Sequence, residues 1–248
     1  MYIDVKFWNY VRFFISNMLM YYIMKLYFIS PLILQKIIWM PTRFLLCFFG
    51  RLHIHGLENL RNIKGPIIFA SNHSSETDVF LIPASLPFFS RFSPIFYVSR
   101  EKSFYKNSGW RQMFYGGTFF KAWGAYPVYV GLHDYAKSLA NHIEIINDGG
   151  SVNIFPEGKR TTDGAIKTAR GGAAYLSYAT RAAIVPVRFE GNFNLTLKEF
   201  FTRRRHFAIF FGKPLYAMND PNTSLSDNDF KMFTNLVMES VKKLCITV

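Results

Sequence analysis

The segment Asn72-His73-Ser74-Ser75-Glu76-Thr77-Asp78 carries an imidazole and a carboxylate five residues apart. It follows Ile67-Ile68-Phe69-Ala70-Ser71, which reads as a strand. His73 therefore falls at a strand's carboxyl end, where α/β sheets build their sites. If residues 74–78 turn into a helix, the Asp78 carboxylate can fold back to the imidazole. There it fixes the tautomer and stabilises the imidazolium that forms as a proton is taken. No nucleophile completes a triad. The chain has no G-x-S-x-G turn, and neither Cys47 nor Cys245 lies near His73 in sequence. Ser74 and Ser75 adjoin His73 too closely for in-line geometry. A His–Asp pair without its own nucleophile suits attack by a substrate hydroxyl on an activated acyl group. The same spacing also arises by chance, so a structural pair is the alternative at this point.

A second polar cluster lies in Ile154-Phe155-Pro156-Glu157-Gly158-Lys159-Arg160-Thr161, again after a strand-like run, with Pro and Gly marking a turn. It presents one carboxylate, two cations and a hydroxyl within five residues. Arg160 can grip a phosphate with two parallel hydrogen bonds, and Lys159 can add a point charge. Standing alone, the cluster would read as a polar surface loop.

Together the two segments resemble the glycerolipid acyltransferase family typified by bacterial 1-acyl-glycerol-3-phosphate acyltransferases. Asn72-His73-x₄-Asp78 is similar to the family's NHx₄D block, and Phe155–Thr161 to its FPEGxR-S/T block. Gly124-Ala125-Tyr126-Pro127-Val128 resembles the second block, Ile184-Val185-Pro186-Val187 the fourth, and Gly56–Leu60 the phrase that precedes the catalytic strand. The likeness runs in order over about residues 45–215. It implies acyl transfer from coenzyme A or acyl-carrier protein thioester, as co-substrate and without a cofactor, to the free hydroxyl of lysophosphatidate. It also implies catalytic roles for His73 as base and Asp78 as its partner, and acceptor binding by Glu157, Gly158, Lys159, Arg160 and Thr161. Pro186 would shape the pocket. One departure stands out: Val130 occupies the place of a basic residue in the second block. Either Lys121, Arg160 or Arg170 takes over the acceptor phosphate, or the acceptor is another lysolipid, such as a lyso-aminolipid.

The elements that must position these residues are legible from composition. Half of the 248 residues are hydrophobic and 27 are Phe, which excludes disorder and calls for a large core or a membrane contact. The net charge of +13 points to an anionic partner, either an anionic membrane face or nucleic acid. No nucleic-acid motif is visible and the charge forms no single stripe, so no nucleic acid is expected. A non-catalytic basic membrane or nucleic-acid binding protein is the rival reading. Two isolated cysteines argue against a disulfide scaffold or a cysteine-based zinc site. His53 and His55 share a strand face without a third ligand, so no metal is expected.

Composition shifts near residue 51. Up to Leu52 the chain is almost wholly apolar or aromatic, with six basic residues against one acidic. Its longest charge-free run, Phe13 to Met24, is short of the roughly 20 residues a span needs, and Pro31 and Pro41 interrupt the apolar stretch after it. The basic heads favour monotopic attachment among anionic lipids over a single span. The expected place is a membrane's cytoplasmic face, with a bacterial inner membrane as the setting the resemblance suggests. No short apolar run precedes a small-residue cleavage site, so a cleaved signal peptide is not expected. The resemblance implies a two-helix anchor here.

Beyond residue 51, short strands are expected at Leu52–His55, Ile67–Ser71, Ile95–Ser99, Val152–Phe155, Ile184–Phe189 and Phe207–Phe211. Helices are expected at Asp134–Asn147 and over Phe230–Leu244, from apolar residues at helical spacing. Arg170-Gly171-Gly172 opens a helical stretch that could bind an anion or simply start a helix. Arg203-Arg204-Arg205 reads as a solvated turn. The expected fold class is α/β: a central, mostly parallel sheet flanked by helices, with an N-terminal membrane-associated helical element. Residues 1–50 would form the anchoring helices and 51–248 the α/β domain.

Overall fold

The computed structural model describes residues 5–100, 118–129, 134–217 and 225–245, with the backbone alone for residues 5–26 and 118. The expected α/β architecture is present. Seven strands form one sheet in the order β1-β7-β6-β2-β5-β3-β4. They are β1 His53–His55, β2 Ile67–Ser71, β3 Ile95–Arg100, β4 Ala125–Val128, β5 Ser151–Ile154, β6 Ala183–Glu190 and β7 Ala208–Phe211. Only β6 and β7 pair antiparallel; the other neighbours are parallel.

The central strands are apolar on both faces because both faces are covered. Ile67 and Phe69 of β2 point into one core with Leu81, Ile82, Tyr97 and Val185; Ile68 and Ala70 point into the other with Val152, Ile184, Leu176 and Val237. The first core is roofed by α1 (Val5–Phe48), α2 (Asp78–Ser85) and α3 (Thr118–Trp123). The second lies under α5 (Ala140–Asn147), α6 (Gly172–Thr180) and α8 (Asp227–Lys243), with the short α4 (Tyr135–Ser138) before them and α7 (Leu197–Phe201) between β6 and β7.

The expected strands lie within one or two residues of the observed ones. Two differences have physical reasons. β4 is a strand that the sequence reading does not anticipate, since Pro127 cannot donate to a ladder. It is an edge strand paired to β3 alone, where a missing donor is tolerated. The helix expected over Asp134–Asn147 is broken at Leu139, whose side chain is buried against the second core at φ −108° and ψ 11°.

The N-terminal element corrects the expected two-helix anchor. Residues Val5–Phe48 form one helix that continues through Pro31 and Pro41. An interior proline removes a hydrogen bond and clashes with the preceding turn, at a cost of about 3 kcal/mol. Tertiary contacts offset it. Gln35 is buried and donates to the carbonyls of Ile95 and Trp123 while accepting from the Ile95 amide. Trp39 donates to Leu86 O, and Arg43 to Ala84 O. Leu46 belongs to the first core. From Tyr27 onward this helix is thus packed on the sheet domain rather than set apart at residue 50. The same stretch, Tyr27–Phe48, is long and apolar enough to cross a membrane by length and composition.

One buried group makes stability depend on pH. His142 on α5 is fully enclosed, and burial pushes its imidazole down to about 4, against an opposing hydrogen bond to the Tyr97 carbonyl. The unfolded ring titrates near the ordinary 6.5. Its contribution is therefore intact above pH 6.5 and is lost progressively as the pH falls toward 4, by roughly 3 kcal/mol in all. Urea unfolding at pH 7 and pH 4.5 should show this loss in the native sequence and a smaller one in His142→Leu. Equal losses would remove His142 as the cause.

Candidate active site

β2 ends at Ser71, and the chain leaves the sheet through Asn72 and His73 before α2 begins at Asp78. Asn72 is a splint. Its amide donates to Phe189 O and accepts from Phe189 N, joining the ends of β2 and β6 beyond the last backbone pair. The turn then brings Asp78 back under His73, with Nδ1 to Oδ2 at 2.9 Å. Asp78 is fully buried, and the same oxygen accepts from the backbone amides of Ser74 at 2.8 Å and Ser75 at 3.0 Å. Its other oxygen is held by Asn192 Nδ2. An ionised carboxylate only accepts, so Nδ1 carries the proton and Nε2 keeps its lone pair. His73 itself is one-fifth exposed and faces a cavity of about 1100 Å³. Its ring stacks on Phe155 with centroids 3.9 Å apart and planes 16° apart, which fixes the ring's orientation.

The neighbouring hydroxyls are already engaged. Ser74 Oγ donates to Asn192 Oδ1, and Ser75 Oγ shares a hydrogen bond with Thr77 Oγ1. Cys47 and Cys245 are exposed and free and do not line the cavity. Among the described residues no side-chain nucleophile is set against the imidazole.

The loop after β5 locks onto His73 from the other side. Glu157 accepts from His73 N with Oε1 and from Lys167 N with Oε2, while Thr161 N donates to His73 O. Both backbone groups of His73 are thereby held by this loop. Gly158 stands at φ +71°, and a Cβ there would lie 3.1 Å from Arg170 Nε, so glycine lets the guanidinium approach the turn. Its carbonyl accepts from Arg100 Nη2 at 2.7 Å. Arg160 is 47% exposed and pairs with Glu76 at 3.1 Å.

The residues expected to bind substrate divide into groups. Gly158, Lys159, Arg160 and Thr161 line the cavity. Glu157 is buried beneath it with both oxygens bound to backbone amides. The Thr161 hydroxyl donates to Asp163. Pro186 is buried within β6 opposite Ala70 and is not among the described residues that line the cavity. Val130 lies outside the described residues. Of the cations considered in its place, Arg160 and Arg170 reach the cavity and Lys121 does not.

Sequence reasoning missed Arg100 and Asn192. Arg100 closes β3 at the cavity; a cation at a strand's carboxyl end was the available signal. Asn192 had none, being 114 residues from Asp78. The cavity wall thus carries Arg100, Lys159, Arg160, Arg170 and Lys231 against Glu76, Asp134 and Asp227, together with the apolar Val79, Phe120, Trp123 and Val128.

Such a fold, with an oriented imidazole at the carboxyl ends of its strands, a cation-bearing cavity and, among the described residues, no side-chain nucleophile beside it, defines an α/β site suited to activating a substrate hydroxyl. The acyltransferase family model matches residues 51–190. The chain belongs to the acyltransferase family. It is 28% identical over 146 residues to the chloroplastic 1-acyl-sn-glycerol-3-phosphate acyltransferase LPAT1 of Arabidopsis thaliana, covering 58% of this chain and 37% of that one. It is 26% identical over 174 residues to the chloroplastic 1-acyl-sn-glycerol-3-phosphate acyltransferase BAT2 of Brassica napus, covering 68% and 46%. The chain spans less than half the length of either relative. The crystal structure of the 1-acyl-sn-glycerophosphate (LPA) acyltransferase PlsC from Thermotoga maritima shares the fold, with TM-score 0.54 at 18% identity over 83% of this chain and 77% of that one.

Proposed function

We propose that this protein moves a fatty acyl chain from a coenzyme A or acyl-carrier-protein thioester to the free hydroxyl of lysophosphatidate, making phosphatidate. The observation that carries the reading is the His73–Asp78 pair, with Nε2 left as an acceptor at a cavity lined by both cations and apolar side chains. The acceptor hydroxyl gives its proton to Nε2 as its oxygen attacks the thioester carbonyl. The Asp78 carboxylate stabilises the imidazolium that results. Collapse of the tetrahedral intermediate expels the thiolate, which takes the proton back from Nε2. The cations Arg100, Lys159, Arg160 and Arg170 supply charge for the acceptor phosphate, and the apolar side chains suit an acyl chain. The names of the plant relatives support lysophosphatidate as the acceptor.

Membrane attachment by α1 belongs to the same reading. Its domain-facing side is tied down through Gln35, Trp39 and Arg43, whereas Ile33, Ile37, Met40, Phe44 and Phe48 are exposed at helical spacing. A helix bonded along one side to a folded domain suits lying in an interface better than being ringed by lipid. Lys36 beside that stripe, and the basic surplus of the chain, favour an anionic lipid face.

Val130 supports a second reading, the same chemistry on a lyso-aminolipid. Incubating the protein with one acyl thioester and a panel of lysolipids, then weighing the products, separates the two. Phosphatidate as the main product is expected. Acylation of lyso-aminolipids with lysophosphatidate untouched would replace the first reading by the second, and no thioester consumption with any acceptor would overturn both.

A further inference from the structure

The two oxygens of Asp78 are held very differently. Oδ2 accepts three N–H groups, from His73, Ser74 and Ser75, all within five residues of it. Oδ1 is held by one side chain from across the sheet, Asn192 Nδ2. Asn192 is 1% exposed. Its amide oxygen is engaged as well, accepting from Ser74 Oγ at 3.0 Å. One buried amide therefore grips both the carboxylate and the turn that follows the imidazole.

The local chain is built to deliver it. Asn192 stands two residues after the end of β6, beyond the span 51–190 that the family model matches. Phe189, near the end of β6, is splinted to Asn72 by two hydrogen bonds, so the ends of β2 and β6 move as one. Gly191 comes next at φ +88°, and a Cβ there would lie 2.0 Å from His206 O. Only glycine makes that turn, and the turn aims Asn192 at Asp78.

We propose that Asn192 is a positioning residue for acyl transfer: by holding Asp78 Oδ1 it keeps Oδ2 on His73 Nδ1, and so keeps Nε2 as the acceptor that faces the cavity. The inference rests on reading His73 as the general base. A carboxylate turns easily about its last torsion, which is broad and two-fold. The three donors on Oδ2 set that oxygen's place, and Asn192 sets the other end of the carboxylate plane. Without Asn192, Oδ1 is a buried acceptor lacking a donor, and the carboxylate reorients or draws in water to satisfy it. Either response disturbs the hydrogen bond that sets the tautomer. Asn192 is not among the described residues that line the cavity, so it acts through Asp78 rather than by touching substrate.

The test compares Asn192→Ala and Asn192→Leu with the native protein and with His73→Ala, in lysophosphatidate acylation below the melting temperature of each. Asn192→Leu keeps the shape but can neither donate to Asp78 nor accept from Ser74, so it stays informative even where the alanine variant folds poorly. Both Asn192 variants are expected to lower kcat by about 10- to 100-fold, the size of one hydrogen bond to a buried charge, with the acceptor KM within about threefold. Full kcat in Asn192→Leu overturns the proposal, because shape alone would then suffice. A loss seen in KM and not in kcat overturns it too, since it would mark an acceptor contact. Activity retained by His73→Ala removes the base reading and Asn192's role with it. An inactive His73→Ala beside Asn192 variants of native kcat leaves the base reading standing and removes the positioning role alone.

Discussion

Replacing His73 with alanine is expected to lower kcat by about 10²–10⁴-fold, the range supplied by a positioned general base, without unfolding the protein. The side chain is one-fifth exposed and stacks on one face against Phe155, so its removal leaves little uncompensated. Its backbone N–H and carbonyl stay bonded to Glu157 and Thr161 whatever the side chain. Asp78→Ala should behave differently. It strips the acceptor from four donors at once, two of them backbone amides in the turn that makes the site. An unmet buried donor costs about 1–3 kcal/mol, so this variant loses stability as well as rate. Steady-state kinetics beside a thermal melt distinguishes the two. Native kcat in His73→Ala would reject the imidazole as the base.

The second large effect separates two residues of the same loop. Glu157→Gln is expected to reduce kcat by about 10- to 100-fold and to lower the melting temperature, with little change in acceptor KM. Both Glu157 oxygens accept backbone N–H groups, those of His73 and Lys167. Glutamine retains one acceptor and turns an NH₂ toward the other amide, leaving a buried donor opposed to a donor at His73 N or at Lys167 N, which anchors the same loop. Arg160→Ala should do the reverse, raising the acceptor KM by about tenfold with a smaller change in kcat. Its side chain is 47% exposed at the cavity, and its partner Glu76 is itself partly exposed, a pair that a phosphate can displace. Should Glu157→Gln raise KM and leave kcat and melting unchanged, the carboxylate would be an acceptor ligand instead of a clamp.

How far these effects are legible in the chain itself depends on the range of the interaction. The turn joining His73 to Asp78 spans five residues, and backbone geometry alone brings the ends together. The strands at Ile67–Ser71 and Ile95–Arg100 show in short runs of Ile, Val and Phe. The N-terminal helix departs from the sequence reading because Pro31 and Pro41 break helices in isolation. Gln35, Trp39 and Arg43 hold this one together through partners 41 to 88 residues away. Glu157 reads as an acceptor ligand because a carboxylate beside two cations looks like part of a polar site. Folding turns it inward onto amides 84 and 10 residues distant in the chain.

By itself the sequence determined the fold class, the pairing of His73 with Asp78, and the loop that closes on that pair. Each of these is written in short-range pattern: strand periodicity, a five-residue turn, a proline–glycine bend. Only the tertiary structure decided what holds that pair in register. Asn192 and Asn72 act across the sheet, where the side chain that satisfies a buried carboxylate is chosen by strand order and not by distance along the chain. It also decided that Arg100 joins Arg160 and Arg170 at the cavity. β3 and β5 are neighbours in the sheet although some fifty residues separate them, and adjacent strands end side by side.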